Sequence, residues 1–488
     1  MPPETNYYEG CNQWLLRAVP AESERILEVG CGAGRLGSAL KELRPGRVVF
    51  GVERESGPAS EAGRRLDGVF CIDVEREAPP LPPASLDCIL YGDVLEHLRD
   101  PGAVLERDRG LLRPDGVVVC SIPNLQHHSV VSQLLRGDFQ YQDRGLLDET
   151  HLRFFTFATA LKLLLDAGYA PDIVDGIEIP GADPMVEAAE PLLDLLRADP
   201  GRTRRYMNMQ QMIVLGRPAY RSEPDPPAAG GPTLTFVANV NDESQLENNL
   251  LRSPVIRSGD HEVLLFRGRT SAAEGLNAGI AEAQNDLVVL VHQDVYLPKG
   301  WDARLISQWH TAKSDGDPIG VAGVFGVGDR RLHKDHLGRV VDRDSLVDTG
   351  NRGPRQVDGL DELLLLVPRD TSLRVDPDLG WHLYGTDLCL QAQRAGLRTI
   401  VLDALCHHNS LIARPPATYW ESARALAHKW PQLLPINTNS ATIDGLLLAP
   451  PAGSRLGTSI GSRLRRSLAG RKPAPSRGSK PSGIGTSH

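Results

Sequence analysis

Short apolar runs along this chain end repeatedly on polar or acidic residues. The run 25–29 (RILEV) passes directly into glycines, and 48–52 ends on Glu53. A third run, 68–72, ends at Asp73, 86–91 leads into Gly92-Asp93-Val94-Leu95-Glu96-His97, and 116–120 leads into Ser121-Ile122-Pro123-Asn124. Runs this short, bounded by turn residues and separated by helical stretches such as 37–43, predict strands alternating with helices. Polar residues at successive strand tips imply a parallel, doubly wound α/β sheet with its ligand at the carboxyl edge. From Thr233 the pattern restarts. Strand 234–240 delivers Asn241-Asp242, strand 262–266 follows, and 271–283 reads as a helix carrying Asn277. Strand 286–291 then runs into His292-Gln293-Asp294 and a Pro-Gly loop.

Between the two alternating regions, 217–232 reads RPAYRSEPDPPAAGGP, in which proline and glycine replace any apolar period. The expected organisation is therefore a first domain at 1–218, a linker at 219–231 and a second domain at 232–448. Residues 449–488 are rich in Ser, Gly, Pro, Arg and Lys, and no acidic residue follows Asp444. They read as a disordered basic tail, with contact to an anionic surface as the alternative to a merely solvated one. Two or three domains suit 488 residues, and 41% hydrophobic with 24% charged residues is globular composition. A formal charge of −9 gives no general footprint for nucleic acid. The start carries no basic segment followed by an apolar run, and no stretch approaches the ~20 apolar residues of a membrane helix. Seven scattered cysteines, never in a CxxC pair, argue against a disulfide framework or structural zinc and point to a cytoplasmic location.

The glycines after the first strand admit two readings. Gly32-Ala33-Gly34-Arg35-Leu36-Gly37 is a literal GxGxxG, and Glu53 at the second strand's tip suits the ribose of NAD or any other adenosine cofactor. Glu28, however, precedes Gly30, Gly32 and Gly34, and an acidic group there suits a cationic ligand rather than a pyrophosphate. The set LEVGCGAG, Glu53, Asp73, GDVLEHLRDP and LLRPDGVVVCSIPN resembles class I S-adenosylmethionine-dependent methyltransferases with a Rossmann-like sheet, over nearly all of 1–218. The resemblance implies that Glu28, Gly30, Gly32 and Gly34 line the methionine end of the cofactor. It further implies that Glu53 holds the ribose, Asp73 the adenine amino group, and Asp93 closes the pocket. Methyl transfer is an in-line displacement, so the protein positions the acceptor and, for an oxygen nucleophile, removes a proton. His97, His127, His128 and His151 are the candidate bases. His97 lies one helical turn after Asp93. His151 sits in GLLDETHLRFFT, where an acid, a hydroxyl and a histidine precede an aromatic pair. With IPNLQHH upstream, that run resembles a methyltransferase branch often found with sugar or surface-polysaccharide genes. A buried, hydrogen-bonded histidine is the alternative reading of both His97 and His151.

In the second region, an apolar strand ending on a carboxylate before a Pro-Gly loop is a common way to hold a divalent cation against a diphosphate. The arrangement resembles inverting GT-A glycosyltransferases of the family 2 type, an α/β/α fold whose DxD motif occupies this strand tip. The HQD form resembles a streptomycin-biosynthesis glycosyltransferase-like branch. The resemblance implies a metal held by His292, Asp294 and a histidine of the 406–410 run, His408, with manganese or magnesium as the ion. Histidine favours the softer of the two. Asp294 also reads as a cap of the next turn. Asp358 to Glu362 places acidic residues before an apolar strand, as the family does near its acceptor site. Where the family carries Glu-Asp-x-Asp, this chain keeps only Asp387, with Tyr384 and Gly385 in place of the pair. Asp387 is the expected acceptor base, a helix N-cap its alternative, and His382 a second candidate. Together the two resemblances imply a bifunctional enzyme that adds a sugar from a nucleotide-diphospho-sugar donor and methylates a glycan or glycosylated small molecule. The alternative is a methyltransferase whose second domain only binds glycan.

Overall fold

The computed structural model describes residues 12–196, 198–220, 233–314, 316–329, 335–411 and 415–448. The expected tail at 449–488 and the linker from 221 onward lie outside the described residues. Nothing among the described residues forms a helix long and apolar enough to cross a membrane.

The first domain is built on β1 (Arg25–Val29), β2 (Val48–Val52), β3 (Gly68–Phe70), β4 (Leu86–Gly92), β5 (Leu112–Pro123), β6 (Tyr169–Glu178) and β7 (Met209–Pro218). They form one seven-stranded sheet in the order β3-β2-β1-β4-β5-β7-β6. The pairs β1–β2, β1–β4, β2–β3 and β4–β5 are parallel, as the sequence pattern predicts. β7, in contrast, runs antiparallel to both β5 and β6. This end of the sheet is not legible in the apolar pattern, because β6 carries Pro171, Asp172, Asp175 and Gly176 and shifts register between Ile173 and Asp175. Elsewhere, alternate residues of a strand enter different cores. Ile26 and Leu90 join one cluster, whereas Leu27, Ile89 and Tyr91 join the other. A strand buried on both faces reads as a continuous apolar run, which is why β1 and β4 stand out in the sequence.

The second domain contributes β8 (Leu234–Val240), β9 (Glu262–Arg267), β10 (Leu287–Val291), β11 (Val295–Tyr296), β12 (Ile319–Gly323), β13 (Phe325–Val327) and β14 (His336–Asp342). It continues with β15 (Ser345–Asp348), β16 (Arg355–Gln356), β17 (Gly359–Leu360), β18 (Leu364–Pro368), β19 (Arg398–Val401) and β20 (His407–His408). The main sheet has the order β16-β19-β12-β18-β10-β8-β9 and covers two apolar cores, with Val288 and Leu290 facing one and Val289 and Val291 the other. β18 runs antiparallel to its neighbours β10 and β12. A smaller sheet has the order β11-β20-β14-β13-β17, and its β11 follows β10 after three residues.

The two domains share a packed boundary. Val341 and Leu405 of the second domain lie within the first domain's core cluster. Asp166 accepts from the Tyr296 hydroxyl at 2.6 Å, and Arg202 donates to Asn409 Oδ1 at 3.1 Å and the Ser410 carbonyl at 3.0 Å. The first two residues of the expected linker are not linker. Ala219 is buried, its carbonyl accepts from Arg339 at 2.8 Å, and the Tyr220 hydroxyl accepts from the Leu405 amide at 2.9 Å.

Candidate functional site

At the tip of β1 the backbone turns through Gly30, Gly32 and Gly34 with φ of 70°, 51° and 76°. This left-handed region favours glycine because a Cβ crowds the following carbonyl. A Cβ on Gly30 would stand 2.4 Å from Cγ2 of Val94. Glu53 closes the turn, accepting from the Gly32 amide and the Glu55 amide at 2.9 Å each. Glu28 accepts from the Gly37 amide at 3.0 Å, and burial pushes its carboxyl up to about 8. At 5% exposure, Glu28 is committed to the strand-to-helix turn rather than open at the pocket's edge. Asp93, with φ of 55°, accepts from Ser121 Oγ at 2.9 Å and Gln211 Nε2 at 2.7 Å, and burial raises it to about 6. Asp73 lies just beyond β3, a third exposed, accepting from the Glu75 amide. Among the described residues neither Glu53 nor Asp93 has a cationic partner, so two carboxylates without a countercharge stand at the carboxyl ends of β2 and β4. A glycine-rich turn with an acidic rim fits a cofactor bearing a sulfonium and an ammonium.

His97 and His151, separated by more than fifty residues in sequence, meet edge to face with ring centroids 4.9 Å apart. The loop carrying His151 docks through the Leu152 and Arg153 amides, which donate to the Glu96 carbonyl at 2.8 and 3.0 Å. Nδ1 of His97 lies 3.3 Å from the Thr150 carbonyl, and Thr150 is itself held by Asp148. Burial and then His97 lower the pKa of His151. His127 and His128 are not part of this pair. His127 caps the helix His128–Leu135 through the Ser129 amide, and Nε2 of His128 lies 3.2 Å from the Ile179 carbonyl.

In the second domain, β10 ends at His292-Gln293-Asp294. Gln293 ties this tip to β8, accepting from the Asn241 and Asp242 amides at 2.9 and 3.1 Å. β20 pairs with β11 in the register Val295↔His408, which brings His408 against Asp294. One donor atom from each of His292, Asp294 and His408 falls within 4.8 Å of the others. Nε2 of His408 is 3.6 Å from Asp294 Oδ1, while its Nδ1 is 3.1 Å from Asp342 Oδ1. Nε2 of His292 is 3.0 Å from the Tyr384 hydroxyl, leaving Nδ1 4.0 Å from Asp294. Each histidine is thus oriented by an outer partner through one nitrogen and offers the other to the cluster, as metal-binding histidines do. Burial alone would lower His408, yet Asp294 and Asp342 hold it up at about 9. Neither Tyr384 nor Asp342 carries a readable signal for this role, because both act from distant segments.

Asp387 does not stand in this site. It is 0% exposed, Oδ1 accepts from Trp430 Nε1 at 2.8 Å, and Oδ2 accepts from Gln391 at 2.6 Å and Lys429 at 2.9 Å. With both oxygens held by three donors inside the core, Asp387 is out of reach of an acceptor hydroxyl, and it is not the N-cap either, a position held by Leu383. Besides Asp342 and Asp361, an acidic group near the cluster is Glu362, which accepts from the Leu383 amide at 3.0 Å and lies 3.9 Å from His382 Nδ1. Burial, then Asp361, pushes Glu362 up to about 8.

The sheet order of the first domain and the glycine turn at its carboxyl edge form a Rossmann-like α/β domain suited to an adenosine-bearing cofactor. Residues 4–172 match the model of a family described as a methyltransferase domain, and residues 235–424 that of a glycosyltransferase like family. The chain is thus similar to a methyltransferase domain over its first part and to a glycosyltransferase like family over its second. Among curated relatives, an uncharacterized 37.1 kDa transposon protein of Streptomyces fradiae is 31% identical over 37% of this chain and 52% of its own length. A ubiquinone biosynthesis O-methyltransferase of Dinoroseobacter shibae is 30% identical over 31% of this chain and 62% of its own. The chain thus spans between half and two thirds of the length of these relatives. Among solved structures, an S-adenosylmethionine dependent methyltransferase of Mesorhizobium loti is 19% identical, with a TM-score of 0.29 over 43% of this chain and 99% of that one.

Proposed function

We propose that the chain is a bifunctional glycan-modifying enzyme. Its first domain transfers a methyl group from S-adenosylmethionine to a hydroxyl, and its second transfers a sugar from a nucleotide-diphospho-sugar donor. The acceptor is a glycan or glycosylated natural product, and the setting is cytoplasmic, which the six free cysteines among the described residues favour. For methyl transfer, the glycine turn and Glu53 hold the cofactor, Asp93 closes the pocket, and the His97–His151 pair is assigned to the acceptor proton. For sugar transfer, the observation that carries the reading is the convergence of His292, Asp294 and His408 at one strand tip. These three would hold a manganese or magnesium ion, whose charge supports the departing diphosphate. Glu362, rather than Asp387, takes the place of acceptor base, because an elevated carboxyl beside the cluster is matched to proton transfer near neutrality.

The test is nucleotide release by the full chain from a panel of nucleotide-diphospho-sugars with manganese. Release is expected in the wild type and reduced about a hundredfold or more in Asp294→Ala. The second reading, a second domain that binds glycan without turning over a donor, draws on the core position of Asp387 and the Tyr384 hydroxyl at His292. Under that reading no donor is consumed, while saturable glycan binding is retained.

A further inference from the structure

Beside the first domain's cofactor edge lies a second donor cluster. Glu96, His97 and His151 bring one ligand atom each to within 4.8 Å of one another. Glu96 is 1% exposed, and neither of its carboxylate oxygens has a hydrogen-bond partner. Its closest contact of this kind is Oε1 at 4.0 Å from Nε2 of His151. An unpartnered carboxylate in the interior is costly, and such groups in folded proteins are ordinarily satisfied by hydrogen bonds or by an ion. The surroundings are arranged for the latter. Nδ1 of His97 lies 3.1 Å from Thr150 Oγ1, a hydroxyl that itself donates to Asp148, and 3.3 Å from the Thr150 carbonyl, so a proton on Nδ1 meets acceptors and the lone pair of Nε2 is left for a ligand. Asp148 holds Thr150 and thereby the ring's orientation. The Glu96 carbonyl fixes the loop that carries His151, so the three donors are tied to one another by backbone bonds.

We infer that Glu96, His97 and His151 form a binding site for a divalent transition-metal ion in the methyltransferase domain. Two histidines and one carboxylate leave positions open to solvent or substrate, as catalytic zinc and non-haem iron sites do. Bonds of about 2.0–2.2 Å require the 4.0 Å gap between His151 and Glu96 to close by about 0.5–1 Å. The inference rests on the proposed O-methyl transfer and replaces the direct proton transfer to the His97–His151 pair, whose rings serve instead as ligands. The acceptor hydroxyl enters an open position of the ion, which lowers its pKa, and its proton passes to water. The oxygen then forms a bond to the methyl carbon as the carbon–sulfur bond breaks, and the sulfur keeps that electron pair in the departing thioether. The acceptor class is accordingly one whose hydroxyl is free to reach a metal.

The experiment titrates the full-length apoprotein with cobalt(II), read by visible absorption and by bound metal per chain. It is done in an Asp294→Ala background, so that the second domain's cluster does not contribute. One cobalt per chain with a visible ligand-field band is expected. Glu96→Gln and His151→Gln should each remove the band and weaken cobalt binding about tenfold or more. The partly exposed His97→Gln gives the same result with less risk to folding, which thermal melts report. Absence of cobalt binding in the Asp294→Ala background, or binding indifferent to all three substitutions, overturns the site. Binding of S-adenosylhomocysteine is measured alongside. Its retention without cobalt binding refutes the metal site alone, whereas its absence refutes the methyltransferase reading beneath it.

Discussion

Gly30 and Asp387 show how much a single position carries. Gly30 combines φ of 70° with a Val94 methyl 2.4 Å from any added Cβ. Gly30→Ala should cost about 1–3 kcal/mol and weaken cofactor-analogue binding, as read from urea midpoints and calorimetry. Asp387 satisfies Trp430, Gln391 and Lys429 at once. Asp387→Ala should cost about 2–4 kcal/mol in chemical denaturation, because it strands buried donors. If it instead left stability intact and removed nucleotide release, Asp387 would be the acceptor base after all.

At the scale of elements, strand ends carry both structure and function. Asp87 near the start of β4 accepts from the Glu24 and Arg25 amides at 3.0 and 2.8 Å and pairs with Arg113, and so anchors the start of β1. Burial opposes its ionisation, but the two amides and Arg113 prevail and hold its pKa below the usual carboxylate range. Because the folded value lies below the unfolded one, its stabilisation is complete above about pH 4 and fades as pH falls through the folded value. Asp87→Asn should therefore cost about 1–2 kcal/mol at pH 7 and progressively less as the pH is lowered below about 4, in urea denaturation over that range. The strands legible in the sequence are those buried on both faces, such as β1, β4 and β10, where apolar runs meet polar tips. β6 and β7 escape because polar residues interrupt β6. His292, Asp294 and His408 were readable because each stands at a strand end. Asp342, 66 residues from the His408 it orients, was not, because only the parallel pairing of β14 with β20 joins them. Glu96 was hidden in plain view beside His97, since nothing local says that its carboxylate is left unpartnered.

Over the whole molecule, the two domains are joined by more than a tether. Asp403, 1% exposed, pairs with Arg339 and with Arg304 at 2.9 Å, and both guanidiniums stack on Tyr220 from the first domain's end. Removing the carboxylate leaves two buried cations facing each other. Asp403→Asn should cost about 3–5 kcal/mol and split a single calorimetric transition into two. A single unshifted transition would mean that the boundary contributes little to cohesion. Arg202 reaches from the first domain to Asn409, next to His408, so the boundary also touches the second donor cluster. The proposed methyl transfer depends on cofactor binding at the glycine turn. Titration of the full chain with S-adenosylhomocysteine in a calorimeter should show saturable binding of one molecule per chain, weakened about tenfold or more by Asp93→Ala, with no heat from NAD. No binding of S-adenosylhomocysteine, or saturable binding of NAD in its place, would contradict it.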